Sequence, residues 1–332
     1  MLDASPTLLF VILVVAAIIF DFLNGFHDSS NIVATVIASR ALKPRATLYM
    51  TAVAHFIAPF IFGVAVATTV GKGLIEPTAI NPNVAIAAAF GAILWNLFTW
   101  YIGIPSSSSH ALIGGLLGSA ILAKGVGVVQ LGGLLKILAA LFISPPLGLL
   151  VGYIFMQITL QLFKSATPKI NIVFKRMQIL TSLSLALSHG TNDAQKTMGL
   201  ITLGLVTAGY QETFHVPLWV IAVSAGAIAL GTALGGWRLI STLGGRIYKI
   251  RPVHAFTSQA ASAGVIFSAA LLGGPVSTTQ VVGSSIMGAG AAERVNKVHW
   301  QVGQNMLTTW LVTIPANMIL AALLYALLEV LL

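Results

Sequence analysis

Apolar residues run along this chain in blocks, at 8–23, 32–39, 47–71, 83–104, 107–123, 127–163, 177–188, 197–208, 216–236, 255–272, 275–290 and 302–332. A helix crosses the hydrocarbon core of a bilayer in about 20 residues. Several blocks reach that length, and the shorter ones abut polar motifs. The pattern predicts helices over 8–39 and 177–208 that break at Gly25 and Gly190, where each polar motif opens. It also predicts helix pairs over 83–123 and 255–290 hinged at Pro105 and Pro275, re-entrant or spanning, because proline ends the helix before it. The fold class expected is an all-α integral membrane bundle with broken helices and hinged helix pairs.

The polar interruptions occur in two copies. Gly25-Phe26-His27-Asp28-Ser29-Ser30-Asn31 returns half a chain later as Gly190-Thr191-Asn192-Asp193-Ala194-Gln195-Lys196. Pro105-Ser106-Ser107-Ser108-Ser109-His110 returns as Pro275-Val276-Ser277-Thr278-Thr279-Gln280. The chain therefore divides into a first transmembrane repeat at 1–163, a polar cytoplasmic linker at 164–176 and a second repeat at 177–332. Two copies facing each other across an internal axis are the plan of a transporter with one central site.

Charge orients the repeats. Arg40, Lys43 and Arg45, then Lys164, Lys169, Lys175 and Arg176, then Arg238, Arg246, Lys249 and Arg251, then Arg294 and Lys297 make up most of the 17 basic residues. They fall in alternate loops, and cytoplasmic loops carry such an excess. The placement is self-consistent only if each half crosses the membrane an odd number of times. The repeats are then inverted, and both termini are expected outside the cytoplasm.

Composition narrows the class. The chain is 57% hydrophobic and 8% charged, against roughly 25% charged in soluble domains. The net charge of +9 sits in short loops between apolar blocks, so a nucleic-acid partner is not expected. Residues 8–20 lack a basic leader and run straight into Asp21, so a retained helix is expected rather than a cleaved signal. With no cysteine there is no disulfide or thiol chemistry. Gly190 to Thr197 nearly spells a phosphate-binding loop, but Gln195 stands where glycine is required and no strand precedes it. No cofactor is implied, and an enzyme is not expected.

Carboxylates within apolar blocks are costly and are kept for ions or polar cargo. Of 8 acidic residues, Asp21, Asp28 and Asp193 lie in or against such blocks. Asp21, Asn24, Asp28, Asn31 and Thr35 share one helix face. Asp28, Asn31, Asn192 and Asp193 are the candidate cation or proton sites and could also take sodium, with His27, Asp21 and Asn24 as further proton or cation groups. Ser107, Ser108 and Ser109 with Ser277, Thr278 and Thr279 follow prolines and start helices, whose N–H groups bind phosphate-like anions. Lys196 and Gln195 are placed with them as anion contacts. Lys196 is also the asymmetric member of its motif, since Asn31 is its counterpart, and Asp193 at i−3 is its natural partner. An ammonium fixed there could occupy a place that a coupling cation would otherwise take. His27, Asp21 and Lys196 together favour proton over sodium coupling.

On these motifs the chain resembles the inorganic phosphate transporter family across nearly its whole length. The strings Asn24-Gly25-Phe26-His27-Asp28 and His189-Gly190-Thr191-Asn192-Asp193-Ala194-Gln195-Lys196-Thr197 resemble its bacterial low-affinity branch. The resemblance implies cation-coupled import of inorganic phosphate by alternating access in the cell (inner) membrane. It also implies metal–phosphate complexes as further cargo. The sodium-coupled pattern Gly-Ala-Asn-Asp-x-Ala-Asn-Ala is departed from at His27 and Lys196. Sodium coupling, sulfate as cargo and an anion channel stay open as alternatives, as does a homo-oligomer in the bilayer.

Overall fold

The computed structural model describes residues 5–76 and 81–331. Residues 1–4, 77–80 and 332 lie outside them. The described residues form helices α1 (Pro6–Ala38), α2 (Pro44–Phe62), α3 (Ala65–Gly73), α4 (Pro82–Ile102), α5 (Ser108–Lys124) and α6 (Leu131–Leu162) in the first half. The second half holds α7 (Ile170–Thr207), α8 (Leu218–Leu234), α9 (Trp237–Ser241), α10 (Pro252–Leu271), α11 (Thr278–Glu293) and α12 (Trp300–Leu331). No strand is present among the described residues beyond one isolated bridge between Ile75 and Val129.

Helix starts follow local chemistry. Pro6, Pro44, Pro82 and Pro252 each sit in the first turn of their helix, where the missing N–H is not needed. Ser5 and Asn81 accept from Leu8 N and Val84 N at 3.3 and 2.9 Å, capping α1 and α4. Gly63 (φ +82°) separates α2 from α3, and Gly103 (φ +73°) closes α4, in a region that glycine enters without strain.

Among the described residues six helices, α1, α2, α4, α6, α7 and α12, are long and apolar enough to cross a membrane. α8 continues through α9 into a π-helical turn at 242–246 after a bend of 61° and makes a seventh candidate. The surface is inverted relative to a soluble protein. Ile143, Leu150, Leu311, Ile319 and Leu323 are exposed, while Asp21, Asn24, Asp28, Asn192, Asp193 and Lys196 are buried. Side chains that water would dissolve line the interior, and the outer belt suits lipid. This is a multi-pass membrane protein.

The expected breaks at Gly25 and Gly190 do not occur, because α1 and α7 are continuous through both positions. The glycines serve close approach instead. A Cβ on Gly25 would lie 2.1 Å from the carbonyl oxygen of Ile228 in α8. A Cβ on Gly190 would lie 2.8 Å from the Cα of His55 in α2. Gly114 and Gly118 bring α5 onto α12 in the same way, at 2.5 Å from Ile314 O and 2.0 Å from Met318 O.

Packing is exchanged between the halves. α1 packs on α4 and α8, and α7 packs on α10 and α2. α5 packs on α12, and α11 packs on α6. Pro105 and Pro275 lie in the connections between α4 and α5 and between α10 and α11. The segment read as a linker is part helix, since α7 already begins at Ile170.

Candidate functional site

The two hinge connections meet inside the bundle. Ser107 caps α5, accepting from His110 N at 3.1 Å, and Ser277 caps α11, accepting from Gln280 N at 3.4 Å. Ser109 Oγ reaches across to donate to Val276 O at 3.0 Å. Gln280 Nε2 comes to 3.4 Å from His110 Nδ1. Two helix N-termini with their hydroxyls are thus neighbours, and both direct N–H groups and positive dipole ends at one region.

Against these ends lie the two polar motifs of α1 and α7. Thr278 Oγ1 sits 3.3 Å from Asp28 Oδ2 and 3.0 Å from Asp193 Oδ2. A hydroxyl has a single proton to donate, so this one cannot satisfy both carboxylates at once. Thr279 donates to Asp28 Oδ1 at 3.0 Å and accepts from Asn31 Nδ2 at 3.0 Å. His27 Nδ1 lies 3.0 Å from Asp28 Oδ1. Lys196 donates to Asp193 Oδ1. Asn192 Nδ2 donates to Gly274 O at 3.1 Å, tying α7 to the second hinge.

His189 is the residue that sequence reasoning underrated. Its Nε2 lies 3.3 Å from Asp193 Oδ2 and 3.7 Å from Asp28 Oδ2. Its ring stacks on that of His55 with centroids 4.8 Å apart, and His55 Nδ1 pairs with Thr232 Oγ1 at 2.9 Å. The signal was present, since His189 stands at i−4 from Asp193 and so on the same helix face. Ligand atoms from Asp28, His189 and Asp193 all lie within 4.8 Å of one another, a spacing that a cation could bridge.

The remaining expected residues divide. Asp21 and Asn24 are fully buried on the same face of α1, and among the described residues no group meets their side-chain polar atoms in good hydrogen-bond geometry. A carboxylate in that position is stabilised only by a proton or a cation. Gln195 directs its amide to backbone groups. Its Oε1 accepts from Val66 N and Ala67 N at 2.7 and 3.1 Å, and its Nε2 donates to Gly63 O and Thr191 O at 2.7 and 2.6 Å. Two of these bonds cap α3, one holds the Gly63 carbonyl at the break after α2, and one turns back onto α7 itself. Ser107, Ser108 and Ser109 make no hydrogen bond to either carboxylate among the described residues. The second hinge, not the first, engages the acids.

This geometry has a recognisable kin. Residues 24–321 match the phosphate transporter family. The chain belongs to that family. It is 44% identical over 326 residues to a Bacillus subtilis protein named "Probable low-affinity inorganic phosphate transporter", covering 97% of this chain and 98% of that one. A Rhizobium meliloti protein of the same name is 43% identical, over 96% of both chains. Among solved structures, "The sodium-dependent phosphate transporter" superposes with a TM-score of 0.88 at 23% identity, covering 98% of this chain and all of that one. That likeness shows a shared fold. The chain is a transporter, not an enzyme.

Proposed function

We propose that the chain imports inorganic phosphate by cation symport with alternating access, and that protons are the coupling ion. The observation that carries this reading is the convergence of Thr278, from one helix N-terminus, on Asp28 and Asp193, from both polar motifs, in a fully buried setting. Ser107, Ser108, Ser109, Ser277, Thr278 and Thr279 would hold the anion at the two helix ends, with Lys196 supplying positive charge.

The coupling follows from electrostatics. An anion seated within about 4 Å of a carboxylate is opposed by about 4 kcal/mol at an effective dielectric of about 20. Two carboxylates double that penalty, so phosphate enters only with compensating cations. Asp28 with His27 and His189, and the fully buried Asp21, are where protons would be carried. Protonated phosphate can itself donate to a carboxylate, which sulfate cannot do at neutral pH, and the acids therefore favour phosphate. The reading includes inverted repeats, both termini outside the cytoplasm and residence in the cell membrane, supported by the basic loops and the exchanged packing of the halves.

Sodium coupling is the second reading, favoured by the spacing of Asp28, His189 and Asp193, with Asn31 and Asn192 as neutral ligands. Labelled phosphate uptake into proteoliposomes under an inward proton gradient, an inward sodium gradient or neither, with sulfate as competitor, separates these readings. Proton stimulation is expected. Sodium stimulation would move the coupling to the second reading, and flux indifferent to both gradients would make the protein a channel. Asp28→Asn and Asp193→Asn should each abolish gradient-driven uptake while the protein still inserts, and normal uptake in either would remove the mechanism.

A further inference from the structure

The two motifs are equivalent in sequence but not in charge. Position for position, Asp28 corresponds to Asp193 and Asn31 to Lys196. At Asp193 both oxygens are engaged, Oδ1 by the Lys196 ammonium and Oδ2 by Thr278, with His189 Nε2 3.3 Å from Oδ2. At Asp28, Oδ1 receives Thr279 and His27, and Oδ2 faces Thr278 and His189. None of those partners carries a permanent charge. Asn31, standing where Lys196 stands in the other copy, turns its Nδ2 to Thr279 and leaves its Oδ1 buried without a partner. An amide oxygen beside a carboxylate is a hard-cation ligand pair, and in the second copy an ammonium fills the equivalent place.

We propose that Lys196 is a tethered cation that permanently occupies one of two pseudo-equivalent carboxylate sites, closes the Asp193 side to free sodium and leaves Asp28 as the only motif carboxylate without a fixed cation. The inference rests on the coupled-transport reading above and adds its ion specificity. A lysine ammonium on an i, i+3 carboxylate needs no diffusing partner and does not dissociate, so it contributes charge balance in every state of the cycle. A free ion at the same place would have to be bound and released each time. The anion then arrives next to one balanced and one unbalanced carboxylate. The count of coupling ions is one lower than two open sites would give. Lys196 is 1% exposed and lies inside the bundle. Its desolvation is offset only by a matched charge, which is why it stands beside Asp193 rather than in a loop.

The test is Lys196→Asn, which makes the second copy resemble the first, with Lys196→Met as a variant that keeps the side-chain length and removes only the charge. Saturable binding of radioactive sodium is measured on the purified full-length protein in detergent, with and without inorganic phosphate, so that the readout does not depend on transport. Wild type is expected to show no saturable sodium binding at the Asp193 side. Lys196→Asn should gain it, and Asp193→Asn combined with Lys196→Asn should lose it again. Saturable sodium binding to wild type that Asp193→Asn abolishes would overturn the proposal. So would a failure of both Lys196 variants, folded by their melting curves, to bind sodium. Loss of phosphate uptake in wild type, with the binding pattern intact, would count against the transport reading and not against the tethered cation.

Discussion

Gly25 separates two accounts of the first motif. If glycine were there to break α1, alanine would favour the helical form by about 1 kcal/mol and the protein would melt no lower. The structure has α1 unbroken and Gly25 pressed on α8, so a Cβ would lie 2.1 Å from Ile228 O, 2.9 Å from its carbonyl carbon and 3.0 Å from its Cα. The nearest of these is at least about 1.3 Å inside ordinary van der Waals contact. The obstacle is backbone, which cannot rotate aside, so α1 and α8 must separate. Overpacking of this kind costs about 1–3 kcal/mol or more, which outweighs the propensity gain. Gly190→Ala meets backbone at 2.8 Å and should cost less, whereas a Cβ at Gly264 meets nothing within 4 Å and Gly264→Ala should gain up to about 1 kcal/mol. The assay is thermal melting of the three detergent-solubilised variants, paired with phosphate uptake. The expected order of melting temperature is Gly264→Ala, then Gly190→Ala, then Gly25→Ala, with uptake lost in the last because Asp28 lies one turn away. A Gly25→Ala protein that melts at or above wild type would refute the close-contact reasoning and return the glycine to the role of helix breaker.

Three further outcomes follow from the side-chain geometry. Thr278→Val removes the hydroxyl shared by Asp28 and Asp193 at constant volume; losing hydrogen bonds to charged groups costs about 1.5–3 kcal/mol, so uptake should fall at least about tenfold with insertion unchanged, and near-normal uptake would deny the hydroxyl its place. Gln195→Ala leaves several buried backbone groups at the α2–α3 break unpaired at about 1–3 kcal/mol each, so the melting temperature should drop while the phosphate KM of the surviving protein stays put; a KM change without a stability change would return Gln195 to the anion site. Outside the spanning helices, Glu293 receives Arg251, Lys297 and His254 at 2.5, 2.5 and 2.8 Å. Partial burial opposes its charge, but the hydrogen bonds from Lys297 and His254 and the charge of Arg251 prevail and hold its carboxyl down to about 2. Its contribution to stability is therefore complete above the ordinary carboxylate range and lost as pH falls toward about 2. Melting curves of wild type and Glu293→Gln should converge across that acid window, and curves that stay parallel would show that the cluster contributes nothing.

Much of this molecule was legible in the residues alone. A chain with so much apolar sequence and so little charge has to be a membrane bundle, and a carboxylate in such a block has to be satisfied by something other than water. Because the same polar residues recur half a chain apart, Asp28 and Asp193, and the Ser107 and Ser277 caps, could be paired before any coordinates were known. Those are local and compositional properties, and they survive whatever the helices do in space. Tertiary structure alone decided the rest. Whether Gly25 ends a helix or admits a neighbour depends on what packs there, and the answer was Ile228 from the other half of the chain. Gln195 sits inside a site motif, yet its amide is spent on the backbone of α3, of the α2–α3 break and of α7, because a buried amide takes the backbone partners that folding brings within reach. His189 acquired its place between two carboxylates only when α1, α7 and α11 met. Charge balance among buried groups is set by distances of a few ångströms between residues far apart in the chain, and linear spacing does not contain those distances.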